Sequence, residues 1–251
     1  MRVDVIDYNT YEMGVKEKII YILLAAAVIF TVGFIFYRNI LLACLLCPLA
    51  LRYPKMKIKE IIRKRKNELN HQFKDMLYAL AYSLSAGKSV ERAFTDVLND
   101  LLMIYPDNNT HIIAEVEMMI RKLTVNEPIE AVLEDFAKRS HLEDVANFVD
   151  VFHTCKRTGG NMVEIIKNTS NIINDKIEIK EEITTMLSAR RFEQKVLNIM
   201  PILMIVLLSV SAADYMEPVF TTAAGKVVMT LAILLLGVAY WVSKKVMHIE
   251  I

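Results

Sequence analysis

Residues 19–37, IIYILLAAAVIFTVGFIFY, contain no charged side chain. About 20 apolar residues in a helix cross the ~30 Å hydrocarbon of a bilayer, so this run constrains the chain more than any other feature. A second apolar run follows Arg38 and Asn39 at 40–51, ILLACLLCPLAL. It is short, and is expected to close a tight two-span hairpin with Arg38 and Arg52 as snorkelling ends, or else to be re-entrant. Further runs occupy 197–213 and 227–242, separated by DYMEPVFTTAAGK. Pro201 lies in the first turns of the third run, where its missing N–H costs least if a helix starts or kinks nearby. A cleavable leader is disfavoured by the acidic start (Asp4, Asp7, Glu12) and by the lack of a small-residue cleavage site after the first run.

Composition agrees with a segregated chain. Hydrophobic residues make up 54% and charged residues 24%. Both values hold together because the charges crowd between the apolar runs. The expected domains are 1–54 (tail and membrane hairpin), 55–195 (cytosolic helical domain) and 196–251 (C-terminal membrane hairpin). Basic residues orient them. Residues 52–66 carry eight Lys or Arg, including Arg63, Lys64, Arg65 and Lys66, against Glu60. The segment 214–225 has none, and holds Asp214 and Glu217. The positive-inside rule then places 55–195 and the C-terminus in the cytosol, in a multi-pass protein. The basic cluster reads as an anchor on anionic lipid. A net charge of +1 and the lack of interleaved aromatics beyond Tyr53 argue against nucleic acid.

Between the runs the apolar spacing is helical. Leu69, Phe73, Met76, Leu77, Leu80 and Leu84 mark a first helix. Gly87 is expected to end it and Ser89 to cap a second, with Val90, Phe94, Val97 and Leu101 inward. The stretch 105–109 ends that helix. Thr110 caps a third, with Ile113, Val116, Ile120 and Leu123. Pro128 opens a fourth at its first helical position, with Ile129, Val132, Leu133 and Phe136. Ser140 and Glu143 have capping-box spacing before Leu142, Val145, Val149 and Phe152. Gly159 and Gly160 then turn the chain, and Asn161 with Glu164 opens a helix free of Gly and Pro to about 195. The expected fold is all-α: an antiparallel bundle of about six helices in the cytosol plus about four transmembrane helices.

Chemical motifs are weak. Cys44 and Cys47 have redox-pair spacing without a second pair to relay electrons. A membrane thiol oxidoreductase is therefore a minor alternative to small residues for helix packing. His153 and Cys155 lie on different helix faces, and the other histidines (71, 111, 141 and 248) are scattered, so no metal site is expected. Gly87-Lys88-Ser89 lacks the upstream glycine and strand of a phosphate loop. No cofactor and no enzyme activity are expected. Ser209, Ser211, Asp214 and Glu217 gather polar groups at a span end, where such groups are often functional.

The stretches FKDMLYALAYSLSAGKSVERAFTDVL (73–98), VFHTCKRTGGNMVEIIKNTSNII (151–173) and SARRFEQKVLNIMPILMIVLL (188–208) resemble the F-domain family of type II secretion, in its tight-adherence (Flp) pilus branch. The resemblance covers roughly 55–245. It implies an inner-membrane platform protein of a prokaryotic type IV-like pilus or secretion machine. Its partners would be a cytosolic hexameric assembly ATPase, pilin or pseudopilin, and a second copy or paralogous platform subunit. Gly87, Gly159 and Gly160 become structural corners, and Ser209, Ser211, Asp214 and Glu217 candidate pilin contacts. The rival from another class is a transporter or channel subunit.

Overall fold

The computed structural model describes residues 6–107 and 110–247. Asp4, Asn108, Asn109 and His248, used above, lie outside them. No strand occurs among the described residues. The helices are α1 (Val15–Tyr37), α2 (Ile40–Leu46), a 3₁₀ helix (Cys47–Arg52), α3 (Tyr53–Ser85), α4 (Val90–Ile104), α5 (His111–Thr124), α6 (Ile129–Ser140), α7 (Glu143–Thr158), α8 (Met162–Ser211), α9 (Ala213–Thr221) and α10 (Ala223–Met247).

The chain divides into two units. The first comprises residues 1–12 and 58–179, and the second 13–57 and 180–251. The expected boundaries at 54/55 and 195/196 therefore shift. Two causes are visible. Beyond Ile177, α8 no longer packs against the core of the first unit. The N-terminal tail, assigned above to the membrane hairpin, packs within that unit instead.

The first unit buries one apolar core drawn from α3 to α8. Phe73 lies at its centre, 5.9 Å from the Phe136 ring and edge-on to Phe148 at 5.7 Å. Fully burying such side chains contributes ~1.5–3 kcal/mol each. The helical spacing identifies most of this core. It omits Ile112, Met119 and Phe148, which widen the stripes beyond one residue per turn.

The corners follow local chemistry, with two corrections. Ser89 caps α4 by accepting from the Arg92 amide at 3.4 Å. Gly87 and Gly159 take positive φ of 76° and 73°, which glycine adopts without steric cost. The Ser140–Glu143 capping box does not form. Ser140 is instead the buried last residue of α6, its hydroxyl turned to the Ala137 carbonyl, and Leu142 occupies the α7 cap. Pro128 is the cap residue of α6 rather than its first helical residue, because α6 begins at Ile129. Thr110 holds the α5 cap position, yet its hydroxyl donates to Asp107 O, and Gln72 Oε1 accepts from the Ile112 amide in its place.

Among the described residues three helices are long and apolar enough to cross a membrane: Val15–Tyr37 and Ala223–Ser243 in the second unit, and Met162–Ser211, which begins in the first unit and ends in the second. Residues 40–52 do not form a fourth such helix. Pro48 enters the first turn of the 3₁₀ helix, where it lacks the N–H an α-helix would use. This short arm nonetheless packs back along α1. A Cβ built on Gly33 would stand 3.1 Å from Ala43 Cα, a backbone approach that only small residues permit. The Tyr53 ring lies 6.3 Å from Tyr21, so the arm returns along most of α1. The segment between the last two apolar runs holds most of α9. Its Met216 and Phe220 pack with Phe36 and Met229 in a small core. Gly225 is obligatory at the next corner, since a Cβ there would collide with the Val219 backbone.

Candidate functional sites

The corner residues of the first unit converge. Leu84, Val90, Ile129, Phe152 and Met162, from five helices, share a cleft of about 320 Å³ with Lys156. The turns holding Gly87, Ser89, Pro128, Gly159, Gly160 and Asn161 therefore meet at one end of this unit. Asn161 caps α8 through Oδ1 to the Glu164 amide at 3.3 Å. A Cβ on Gly160 would stand 3.0 Å from the buried Cys155 sulfur, which explains the second glycine. An adjoining cleft of about 410 Å³ is lined by Glu130, His153, Thr154, Lys156 and Arg157. Lys156 pairs with Glu130 and holds its carboxyl below the usual range. Lys88, which could suggest phosphate binding, pairs with Asp96 at 2.5 Å. Asp96 also accepts from Ser83 at 2.9 Å, so the tripeptide Gly87-Lys88-Ser89 is a braced corner.

The four polar residues of the span end separate. Asp214 and Glu217 line a cleft of about 410 Å³ in the second unit, with Arg38, Phe220 and Lys226. Ser209 and Ser211 do not line it. Ser209 offers its carbonyl to Arg38 at 3.5 Å, and its hydroxyl is buried without a partner. Arg38 takes φ of 43° at the end of α1, and its guanidinium stacks 5.2 Å over Phe220. Tyr37 and Thr230 share a hydrogen bond of 2.9 Å beside the cleft. The cleft is thus of mixed charge. Lys226, one residue beyond the segment counted above as free of cations, was the signal overlooked.

The basic cluster on α3 also separates. Arg63 and Lys64 are exposed, and Lys64 pairs with Glu68 at 3.6 Å. Arg65 instead donates to Thr10 O at 3.3 Å and stacks 5.3 Å over Tyr11. It is a protein contact as well as a candidate lipid contact.

Cys44 is exposed and Cys47 half-buried, and all three cysteines are free. Among the described residues no three His, Cys, Asp or Glu side chains gather as metal ligands. No family model matches the chain, and no curated protein or solved structure is detectably similar to it.

Proposed function

We propose that this chain is a non-enzymatic platform protein of the prokaryotic cytoplasmic membrane. It would couple a cytosolic hexameric ATPase to pilin assembly in a tight-adherence or type II secretion-like machine. The reading rests on the resemblance of 73–98, 151–173 and 188–208 to the F-domain family. The observation that supports it best is that the corner residues of the first two of these stretches meet at one end of a single helical unit. That unit is inserted in the chain between apolar segments, and α8 is unbroken over 50 residues, about 75 Å. A helix of that length is suited to carry rigid-body motion.

The proposed topology has four spans: α1, the arm formed by α2, the 3₁₀ helix and the start of α3, the C-terminal part of α8, and α10. The first unit and the C-terminus face the cytosol, and α9 faces outward. Cysteines placed at the exposed positions Thr222 and Asn99 test this with an impermeant thiol reagent on whole cells. Thr222→Cys should label and Asn99→Cys should not, and the reverse pattern would overturn the topology.

Function is tested by capture. The full-length protein in detergent is mixed with the assembly ATPase and pilin of the same organism. Retention of the hexameric ATPase, weakened by charge reversal at Lys156 or Arg157 in the corner cleft, would support the platform reading. A folded protein that retains neither partner would count against it.

A further inference from the structure

Residues 6–14 have no regular structure of their own, yet Tyr8 is wholly buried in the first unit. Its hydroxyl donates to Glu115 Oε1 at 3.0 Å. Glu115 is itself 1% exposed, and Arg139 grips both its oxygens at 2.7 and 2.6 Å. The same Arg139 donates to Ile6 O at 3.4 Å, and its carbonyl accepts from the Tyr8 amide at 3.0 Å. His141 meets Asp7 at 3.2 Å. Arg65 holds Thr10 O and covers the Tyr11 ring. His111 stands edge-on to Tyr8 at 5.5 Å.

Three helices thus read the tail: α3 through Arg65, α5 through Glu115 and His111, and α6 through Arg139 and His141. They read backbone as well as side chains, and one deep pocket selects an aromatic hydroxyl. Ordering an extended segment costs ~1–2 kcal/mol per residue, so contacts of this density are needed to hold it. A buried carboxylate–guanidinium pair also needs its remaining hydrogen-bonding capacity satisfied, and Tyr8 supplies part of that.

We infer that the first unit carries a binding site for an extended, tyrosine-bearing peptide, and that residues 6–11 of the same chain are its tethered ligand. The site is defined by Glu115, Arg139, His141 and Arg65. The tail is joined to the rest of the first unit through residues 13–57 of the same chain, so its binding is intramolecular and needs no strong free-peptide affinity of its own. The cis segment therefore fills the site even if its affinity as a free peptide is weak, and a competing segment of the same chemistry would release the start of α1. This inference is independent of the platform reading.

The test uses the full-length protein in detergent and a fluorescent peptide of residues 1–12, read by anisotropy. Wild type should show no saturable binding at micromolar peptide, because its own tail competes. Tyr8→Ala should bind the peptide saturably, and adding Glu115→Gln should weaken that binding at least tenfold. A Tyr8→Ala protein that melts cooperatively but binds no peptide would overturn the inference, as would equal binding by wild type and variant. Should Tyr8→Ala not fold, hydrogen exchange of the wild type decides. Protection of the Tyr8 amide comparable to that of α5 supports the site, and exchange at the free-chain rate overturns it.

Discussion

The two units solve opposite solvation problems with the same element. In the first, Phe73, Leu77 and Phe136 are fully buried while most charged residues, the Glu115–Arg139 pair apart, lie toward the surface. In the second, Leu23, Leu234 and Leu235 are each more than 60% exposed, and the apolar windows of α8 and α10 are 0% and 6% buried. Water drives the first arrangement by expelling apolar surface. No such force acts between helices in lipid, where close backbone approach and small residues carry the packing. Gly33 against Ala43 is the second unit's counterpart of Phe73 against Phe148. An exposed leucine is therefore a defect in one unit and the expected solvent contact in the other.

The comparison can be broken by substitution. The largest effect is expected from Phe73→Ala, which removes the centre of the first core and should cost ~3–5 kcal/mol. Thermal melts in detergent should show a drop of several degrees, while Leu234→Ala leaves the midpoint within about one degree. Next is the inverse change. Leu234→Lys places a charge on the exposed apolar surface of α10, at an apparent cost of ~3 kcal/mol for insertion if that helix spans a bilayer. A glycosylation-site insertion assay should record reduced spanning, whereas Lys at exposed Glu91 of α4 should fold normally. Loss of the α4 cap in Ser89→Ala should cost ~1 kcal/mol, read as a smaller shift of the same melt.

The smallest effect concerns pH. Burial lowers the pKa of His111 from 6.5, and Arg65 adds to this, against the opposing pull of Glu68 and Glu115. The released or unfolded state takes up the proton first. The hold on Tyr8 is therefore full above about 6.5 and weakens as pH falls from there toward the depressed value. The protection factor of the Tyr8 amide, which is its intrinsic exchange rate at each pH divided by the observed one, should fall between pH 7.5 and 5.5, and His111→Gln should flatten the trend. A protection factor that does not change with pH would remove His111 from the account.

Much of the first unit was legible because its helices are amphipathic and its corners are marked by Gly, Ser and Asn. Leu69 to Leu84 and Ile129 to Phe136 read directly. Ser140 misled because a buried hydroxyl at the end of a helix can donate to a carbonyl of its own helix, here Ala137 O at 3.1 Å, as readily as cap the next. The short arm 40–52 was ambiguous by length, and Pro48 gives it a mixed helical form that hydropathy does not register. The mixed-charge cleft escaped because Arg38 and Lys226 lie 188 positions apart in sequence, beyond the reach of any local pattern. The tail was illegible for the same reason. Ile6–Tyr11 has neither period nor apolar run, and Tyr8 finds Glu115 107 residues away.

That anchored tyrosine also imposes a rule of parity. The chain leaves the first unit after Glu12 and rejoins it at Ile58. A path that departs from and returns to one side of a sheet must pierce it an even number of times. Under the proposed topology, which puts the whole first unit on one side of the bilayer, an α1 that traverses it obliges the next arm to come back, however few apolar residues it has to do so. Arithmetic of this kind needs no hydropathy scale, and under that topology it follows from where one buried side chain is held.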